Sequence, residues 1–253
     1  MTRKGYSKRS AIPPEILDQL NQGTIASATL AEGLAIDFTT LLHAAAPTTK
    51  GKHLIDPATG LLKRMARAAE ILHEELGSRQ FQQLASHPSD TVRGWASYIV
   101  AMIPDLSFAE RLERIRPLAD DPHFGVREWA WIAMRNHIAT NLDEALDLFK
   151  LWVVDPSVNI RRFASESTRP RGVWCAHIDR LKKKPSLGLP ILEPLHGDPT
   201  KYVQDSVANW LNDAAKSDPE WVCSLCKKWL KKSATSHTAR ICQRALRSLD
   251  KDA

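Results

Sequence analysis

The chain has 253 residues, 43% hydrophobic and 25% charged, with a formal charge of +6 and a pI near 9.2. That is an ordinary globular composition with enough chain to bury a sizeable core, and its moderate basicity points to an anionic partner. No run of about 18 apolar residues is present, Ile12-Pro13-Pro14-Glu15 follows the basic N-terminus where a signal core would stand, and Cys175, Cys223, Cys226 and Cys242 are too few and irregular for a disulfide scaffold; a membrane span is excluded and a cytoplasmic protein expected.

Residues 1–12, with Arg3, Lys4, Lys8 and Arg9, read as a flexible basic arm, and residues 13–253 as a single domain. From Pro14 the apolar spacing is helical: Ile16, Leu17 and Leu20, then Leu30, Leu34, Phe38, Leu41 and Leu42. After a break over 47–52, Leu61, Met65, Ala68, Leu72 and Leu76 mark another helix. No period-2 strand is visible, so the fold should be all-α.

From there the chain repeats. His87-Pro88 leads to Val92-Arg93, Asp121-Pro122 to Val126-Arg127, Asp155-Pro156 to Ile160-Arg161, and Asp198-Pro199 to Val203-Gln204. The branched residue recurs at 92, 126, 160 and 203, spacings of 34, 34 and 43, with a weaker copy near Ala239-Arg240. Periods in this range mean a helical solenoid. The pattern resembles HEAT-type repeats, with Asp expected to cap the second helix of each pair and Pro to fit its first turn. Ser107 with Glu110, and Asn141 with Glu144, stand at capping-box spacing for the intervening helices. The connection after Arg169 is about nine residues longer than the period requires, and insertions of this kind more often carry function than structure.

A helical wheel sorts the second helices. Around Val126 the core stripe is Trp129, Ala130 and Ala133, with Arg127, Glu128, Trp131 and Arg135 opposite. Around Ile160 it is Phe163, Ala164 and Ser167, with Arg161, Arg162, Ser165, Glu166 and Arg169 facing away. Around Val203, Val207 and Trp210 point inward and Lys201, Asp205, Asn209 and Asn212 outward; the helix of Val92 offers only Gly94, Ser97 and Ala101. In a HEAT-like solenoid these outward faces would line a basic concave groove. They would equally be the solvated sides of amphipathic helices, but Trp131 has no core to fill there unless it stacks on a ligand.

Arginines suit phosphates, whereas carboxylates repel them and need another purpose. Cleavage of an N-glycosidic bond supplies one, since its transition state is oxocarbenium-like and a preplaced carboxylate stabilises it. Ion pairing of Glu128 with Arg127, Arg161 or Arg162 is the structural alternative. Cys223-x-x-Cys226 with His237 and Cys242 has zinc-like spacing, yet its cysteines share an apolar helix face. No metal or other cofactor is expected.

Arg127-Glu128-Trp129-Ala130-Trp131, the stretch from Asn159 to Trp174, residues 201–213, and Glu32 to Phe38 resemble the AlkC branch of the AlkC/AlkD DNA alkylation repair glycosylases. The resemblance covers nearly the whole chain. It implies a right-handed, C-shaped HEAT-like solenoid and a monomeric, monofunctional glycosylase acting on double-stranded DNA without full base flipping. Substrates would be cationic N-alkylated bases such as 3-methyladenine, with 3-methylcytosine and 7-methylguanine as candidates. Glu128, Arg162, Glu166 and Asp213 would form the catalytic set, Trp131 and Trp174 the aromatic contacts. Arg127, Arg135, Arg161, Arg169, Arg171, Lys201, Asp205 and Asn209 would contact DNA. Some AlkC-type proteins add an Ig-like domain; here the basic C-terminal helices are expected to compensate. The rival readings are a non-catalytic module for damaged or branched DNA and a protein-binding scaffold.

Overall fold

A computed structural model describes residues 3–51, 55–77, 80–233 and 235–249, and these contain helices and no strand; Lys52, the end of the expected break, lies outside them. The helices are α1 (Pro14–Asn21), α2 (Leu30–Ala35), α3 (Phe38–Ala45), α4 (Leu61–Leu76), α5 (Phe81–Ala85), α6 (Asp90–Met102), α7 (Phe108–Ala119) and α8 (Phe124–Thr140). They continue as α9 (Leu142–Trp152), α10 (Val158–Ser167), α11 (Asp179–Lys183), α12 (Leu189–Leu195), α13 (Lys201–Ala215), α14 (Pro219–Lys232) and α15 (Ser236–Leu246). The structure comprises two compact units, Met1–Ala133 and Met134–Ala253. Each is built of packed helix pairs, the repeat architecture the period implies. In the second unit α10 packs on α13 and α13 on α15, so the second helices of successive repeats stand side by side.

The repeat motif works differently from its expected role. Asp121, Asp155 and Asp198 do not cap the helices that follow; each Oδ1 accepts the backbone N–H two residues on, from His123 (2.7 Å), Ser157 (2.8 Å) and Thr200 (2.9 Å). The result is a side-chain turn that closes the loop before the helix begins. His87 does the same with Nδ1, accepting from Ser89 N at 3.1 Å, which explains how His-Pro replaces Asp-Pro in the first copy. The Pro therefore sits in this loop, and Ser157 is the residue whose side chain caps α10.

The arginine after each branched residue folds back on the same loop. Arg93 donates to the carbonyls of His87 and Pro88, Arg127 to those of Asp121 and Pro122, and Arg161 to those of Asp155 and Pro156. In the fourth copy Gln204 Nε2 reaches the Asp198 carbonyl at 2.8 Å. Arg93 also pairs with Asp121 (2.8 Å) and Arg161 with Asp198 (2.7 Å), so one side chain closes its own loop and ties it to the next.

The capping box of Ser107 and Glu110 forms as expected. Asn141 does not cap α9; its Nδ2 donates at 2.9 Å to the His137 carbonyl, which also accepts the Asn141 backbone N–H at the end of α8. Within the expected arm, Arg3 places both guanidinium nitrogens on Glu32 (2.9 and 2.5 Å), whose carboxylate also accepts from Tyr6 N and Ala28 N. Glu32 is fully buried, and this cation with two amides is what makes its burial affordable.

Trp95 anchors the first core, tilted against Phe38 at 5.7 Å; Phe149, Trp152 and Phe163 form an aromatic cluster in the second. Gly94 lies hard against the Trp129 ring and Met65, and Gly188 against the Trp210 ring, positions where any side chain would collide.

Candidate active site

In the second unit, the wheel's outward face of α10 is not open. Ser165, Glu166 and Arg169 are buried, Glu166 at 4% exposure, because α13 supplies partners distant in sequence. Glu166 Oε1 accepts from Arg169 Nη1 at 2.7 Å, and Oε2 accepts from the Ser206 hydroxyl at 2.7 Å. The Ser165 hydroxyl backs Ser206 at 2.8 Å, and Arg162 Nη2 stands 3.7 Å from Oε2. The other edge of Arg169 holds Asp213, with Nε and Nη2 at 2.9 and 2.8 Å from Oδ2. Lys216 lies 3.6 Å from the second Asp213 oxygen. Arg169, expected to contact DNA, is thus a buried bridge between two carboxylates.

These surroundings drive the two acids apart. Burial would raise Glu166, but the Arg162 and Arg169 guanidiniums and the Ser206 hydroxyl outweigh it and hold the carboxyl below its ordinary range. Burial, reinforced by the Glu166 charge, lifts Asp213 above its ordinary range despite Arg169 and Lys216. Arg162 keeps part of its surface open and lies over the Tyr202 ring at 4.3 Å. Of the expected catalytic set, this unit brings together Arg162, Glu166 and Asp213.

Arg135, another expected DNA contact, is 2% exposed and bonded to backbone. Its Nη1, Nη2 and Nε donate to the carbonyls of Ser167, Arg169 and Ala176 at 2.6, 2.6 and 3.0 Å. One guanidinium thereby fastens both ends of the loop that follows α10. That loop presents Val173 and Trp174, 57% and 49% exposed, with Trp174 held at φ 67. A left-handed backbone is costly for a bulky residue, on the order of 1–3 kcal/mol, and the Arg135 hydrogen bonds offset it. Arg171 reaches from the same loop to the Ser217 hydroxyl at 2.9 Å. Burial pushes the Cys175 thiol up, so its thiolate is suppressed beside these cations.

On α13, Lys201 is exposed and Asp205 and Asn209 half-buried, whereas Asn212, expected outward, is buried with its Nδ2 on the Ala245 carbonyl at 2.9 Å. Asp205 accepts Arg240 Nη2 at 2.7 Å and Asn209 accepts Arg247 Nη2 at 2.9 Å. Arg240 falls in the weaker repeat copy, while Arg244 and Arg247 were legible only as part of the basic C-terminal helices, with their spacing at 240, 244 and 247 as the signal. Arg161 is committed to the loop clamp described above.

In the first unit, Trp131 is 3% exposed and donates its indole N–H to Glu128 Oε2 at 2.8 Å. The expected open stacking surface is absent there; the ring is buried, and it orients a half-buried carboxylate. Past its first turn, α8 buries Ala130, Trp131, Met134, Arg135 and Ile138, a face rotated from the predicted stripe, while Trp129 and Ala133 are only half-buried. Arg127 is the loop clamp of its own repeat.

Among the described residues, no three His, Cys, Asp or Glu side chains gather as a metal site, and no helix is long and apolar enough to cross a membrane. Cys242 points its thiol at the Cys226 carbonyl (3.8 Å), and His237 Nδ1 faces Gln204 Nε2 at 3.2 Å.

Residues 126–249, which carry this cluster, match the model of a family described as DNA alkylation repair enzyme. The similarity to the family spans about half of the chain. The chain is 31% identical over 197 residues to the uncharacterized protein YhaZ of Bacillus subtilis (strain 168), a match covering 76% of this chain and 54% of YhaZ. Its fold is similar to the Pseudomonas fluorescens alkylpurine DNA glycosylase AlkC, solved bound to DNA containing an abasic site analog. The TM-score is 0.66 at 28% identity, covering 85% of this chain and 61% of AlkC. The all-helical repeat fold of an AlkC-type protein is therefore established, while the chain spans less than two thirds of either relative's length.

Proposed function

We propose that the protein is a DNA glycosylase that hydrolyses the N-glycosidic bond of cationic alkylated bases, 3-methyladenine first among them, in double-stranded DNA. The observation that carries the reading is the buried network of Arg162, Glu166, Ser206, Arg169 and Asp213 within the stretch that matches the alkylation repair family. A carboxylate held ionised in a site of low polarity is worth most where positive charge develops, which here is the deoxyribose ring. In the reaction the C1′–N bond breaks and its electron pair leaves with the base, cancelling the base's positive charge. Water then bonds to C1′, and its proton passes to a carboxylate.

The residues divide these tasks. Glu166, locked on both oxygens, supplies fixed negative charge. In the first unit, Glu128 is half-buried and oriented by the Trp131 indole, an arrangement that suits a carboxylate holding a water. Trp174 offers an exposed aromatic face to the sugar, and Arg162, Arg171 and Lys201 offer cations to the phosphates. The positive charge already present on the substrate base explains why no strong acid is needed. Incubation with a methylated duplex, followed by alkaline cleavage of abasic sites, tests the reading: strand breaks at methylated positions support it, and intact strands reject it.

A second reading has one observation in its favour. Every oxygen of Glu166 already has an internal partner, as in a structural ion network, and this suits a module that binds damaged DNA without excision. Binding without base release would select it.

A further inference from the structure

Three arginines, two on α15 and one just past its end, hold fixed positions at the surface of the second unit, and neither the buried network nor the family motifs use them. Arg240, Arg244 and Arg247 fall at i, i+4 and i+7, on one face, and that face lies along the seam with α13. Arg240 donates to Gln204 Oε1 (3.2 Å) and to Asp205 Oδ1 (2.7 Å). Arg244 Nε stands 2.9 Å from the same Asp205 oxygen but is misaligned for a hydrogen bond, leaving that donor unsatisfied. Arg247 donates to Asn209 Oδ1 (2.9 Å) and to the Arg244 carbonyl (2.5 Å).

The charge count is uneven. One carboxylate serves Arg240 and Arg244, and Asn209 brings no charge to cancel that of Arg247. Among the described residues two of these cations share one carboxylate and the third meets only neutral acceptors, so this face keeps an excess of positive charge. Lys216, half-exposed at the Asp213 end of α13, extends the excess toward the buried carboxylates. Hydrogen bonds to α13 fix the Arg240 and Arg247 guanidiniums, so less rotamer entropy is lost when their outer N–H groups meet a ligand. Planar donors presented in a row suit phosphate oxygens, and a row suits a polymer of phosphates better than a single one.

We infer that Arg240, Arg244, Arg247 and Lys216 form a phosphate-binding strip for a DNA strand, with Asp205 and Asn209 acting as its positioning residues. The inference rests on the DNA reading above and adds the surface that grips the backbone. Asp205, expected as a DNA contact, instead aims two arginines.

The test is fluorescence anisotropy with a fluorescein-labelled duplex carrying an abasic-site analogue, across a KCl series. The proteins are wild type, R244Q/R247Q, R244K/R247K, and K227Q/K231Q on the exposed side of α14 as a control of equal charge loss. Each phosphate left without its cation lowers the slope of log K against log salt by about 0.9, so R244Q/R247Q should lose about 1.8 of the wild-type slope. The control should keep its slope and R244K/R247K should recover most of it, with circular dichroism reporting equal helix content throughout. Equal slopes in wild type and R244Q/R247Q overturn the strip, as does an equal loss in the α14 control, which would mean diffuse charge. A wild type with no affinity for the duplex removes the DNA reading itself, and the strip with it.

Discussion

Arg169 offers the sharpest test of how the second unit is held together. Arg169→Met keeps the bulk of the side chain but leaves Glu166 and Asp213 buried without the cation that bridges them at 2.7 to 2.9 Å. Removing one partner of a buried ion pair costs about 3–5 kcal/mol at neutral pH, and Ser206, Arg162 and Lys216 remain to moderate that loss. The cost should depend on pH with a definite sign. In wild type, Glu166 has a depressed folded pKa, so its stabilising contribution is present above its unfolded value and is lost as pH falls through the folded one. Without Arg169 both carboxyls rise, each binds a proton more readily in the folded state, and protonation relieves the unpaired charge. Urea unfolding of wild type and variant at pH 7 and pH 5 should therefore show a large deficit at pH 7 that narrows at pH 5. A deficit under about 1 kcal/mol, the scale of an exposed pair, or one independent of pH would refute the buried-bridge description and return Arg169 to the surface role its sequence position suggested.

Four further outcomes follow from the geometry. Arg135→Met removes three bonds to the loop carbonyls and should speed tryptic cleavage after Arg171 while leaving the helix signal nearly intact; unchanged cleavage would mean the loop holds its shape unaided. Gly94→Ala drives a methyl group into the Trp129 ring and should cost about 1–3 kcal/mol of unfolding free energy, as overpacking does. Glu128→Gln keeps an acceptor for the Trp131 indole but loses the charge, so excision should fall on the order of 10²–10³-fold with the thermal midpoint preserved. The acid limb of the excision rate should follow Asp213: its raised pKa makes it the first of the two buried acids to take a proton as pH falls, while Glu166 stays ionised. Asp213→Asn should remove that limb from the pH profile.

The period of 34 residues, the paired helices and the Ser107 cap were legible because each is local: a branched residue, a turn signal and a capping pair act within a few positions of themselves. The core face of α10 was legible for the same reason, with Phe163 and Ala164 both buried. What failed is equally physical. A wheel assigns charged residues to solvent, and Glu166 and Arg169 were placed there. Their partners Ser206 and Asp213 lie 40 and 44 residues further on, and no local pattern reveals such pairing. Arg135 was misplaced because its partners are backbone carbonyls, which every residue carries and no sequence marks. The Asp-Pro motif was found but its role misassigned, since a side-chain turn and a helix cap draw on the same residue types. Glu166 was legible in the wheel of its own helix, whereas Asp213 came from the family resemblance alone. The hydroxyl that locks one of them, on Ser206, came only from the structure.

The central claim is that fixed negative charge at Glu166 lowers the barrier to losing a cationic base. Its most direct test is single-turnover release of free 3-methyladenine from a methylated duplex by wild type and Glu166→Gln, with binding of the same duplex measured in parallel. The account predicts base release by wild type and its near-complete loss in Glu166→Gln at retained affinity. Equal release by the two proteins would contradict it.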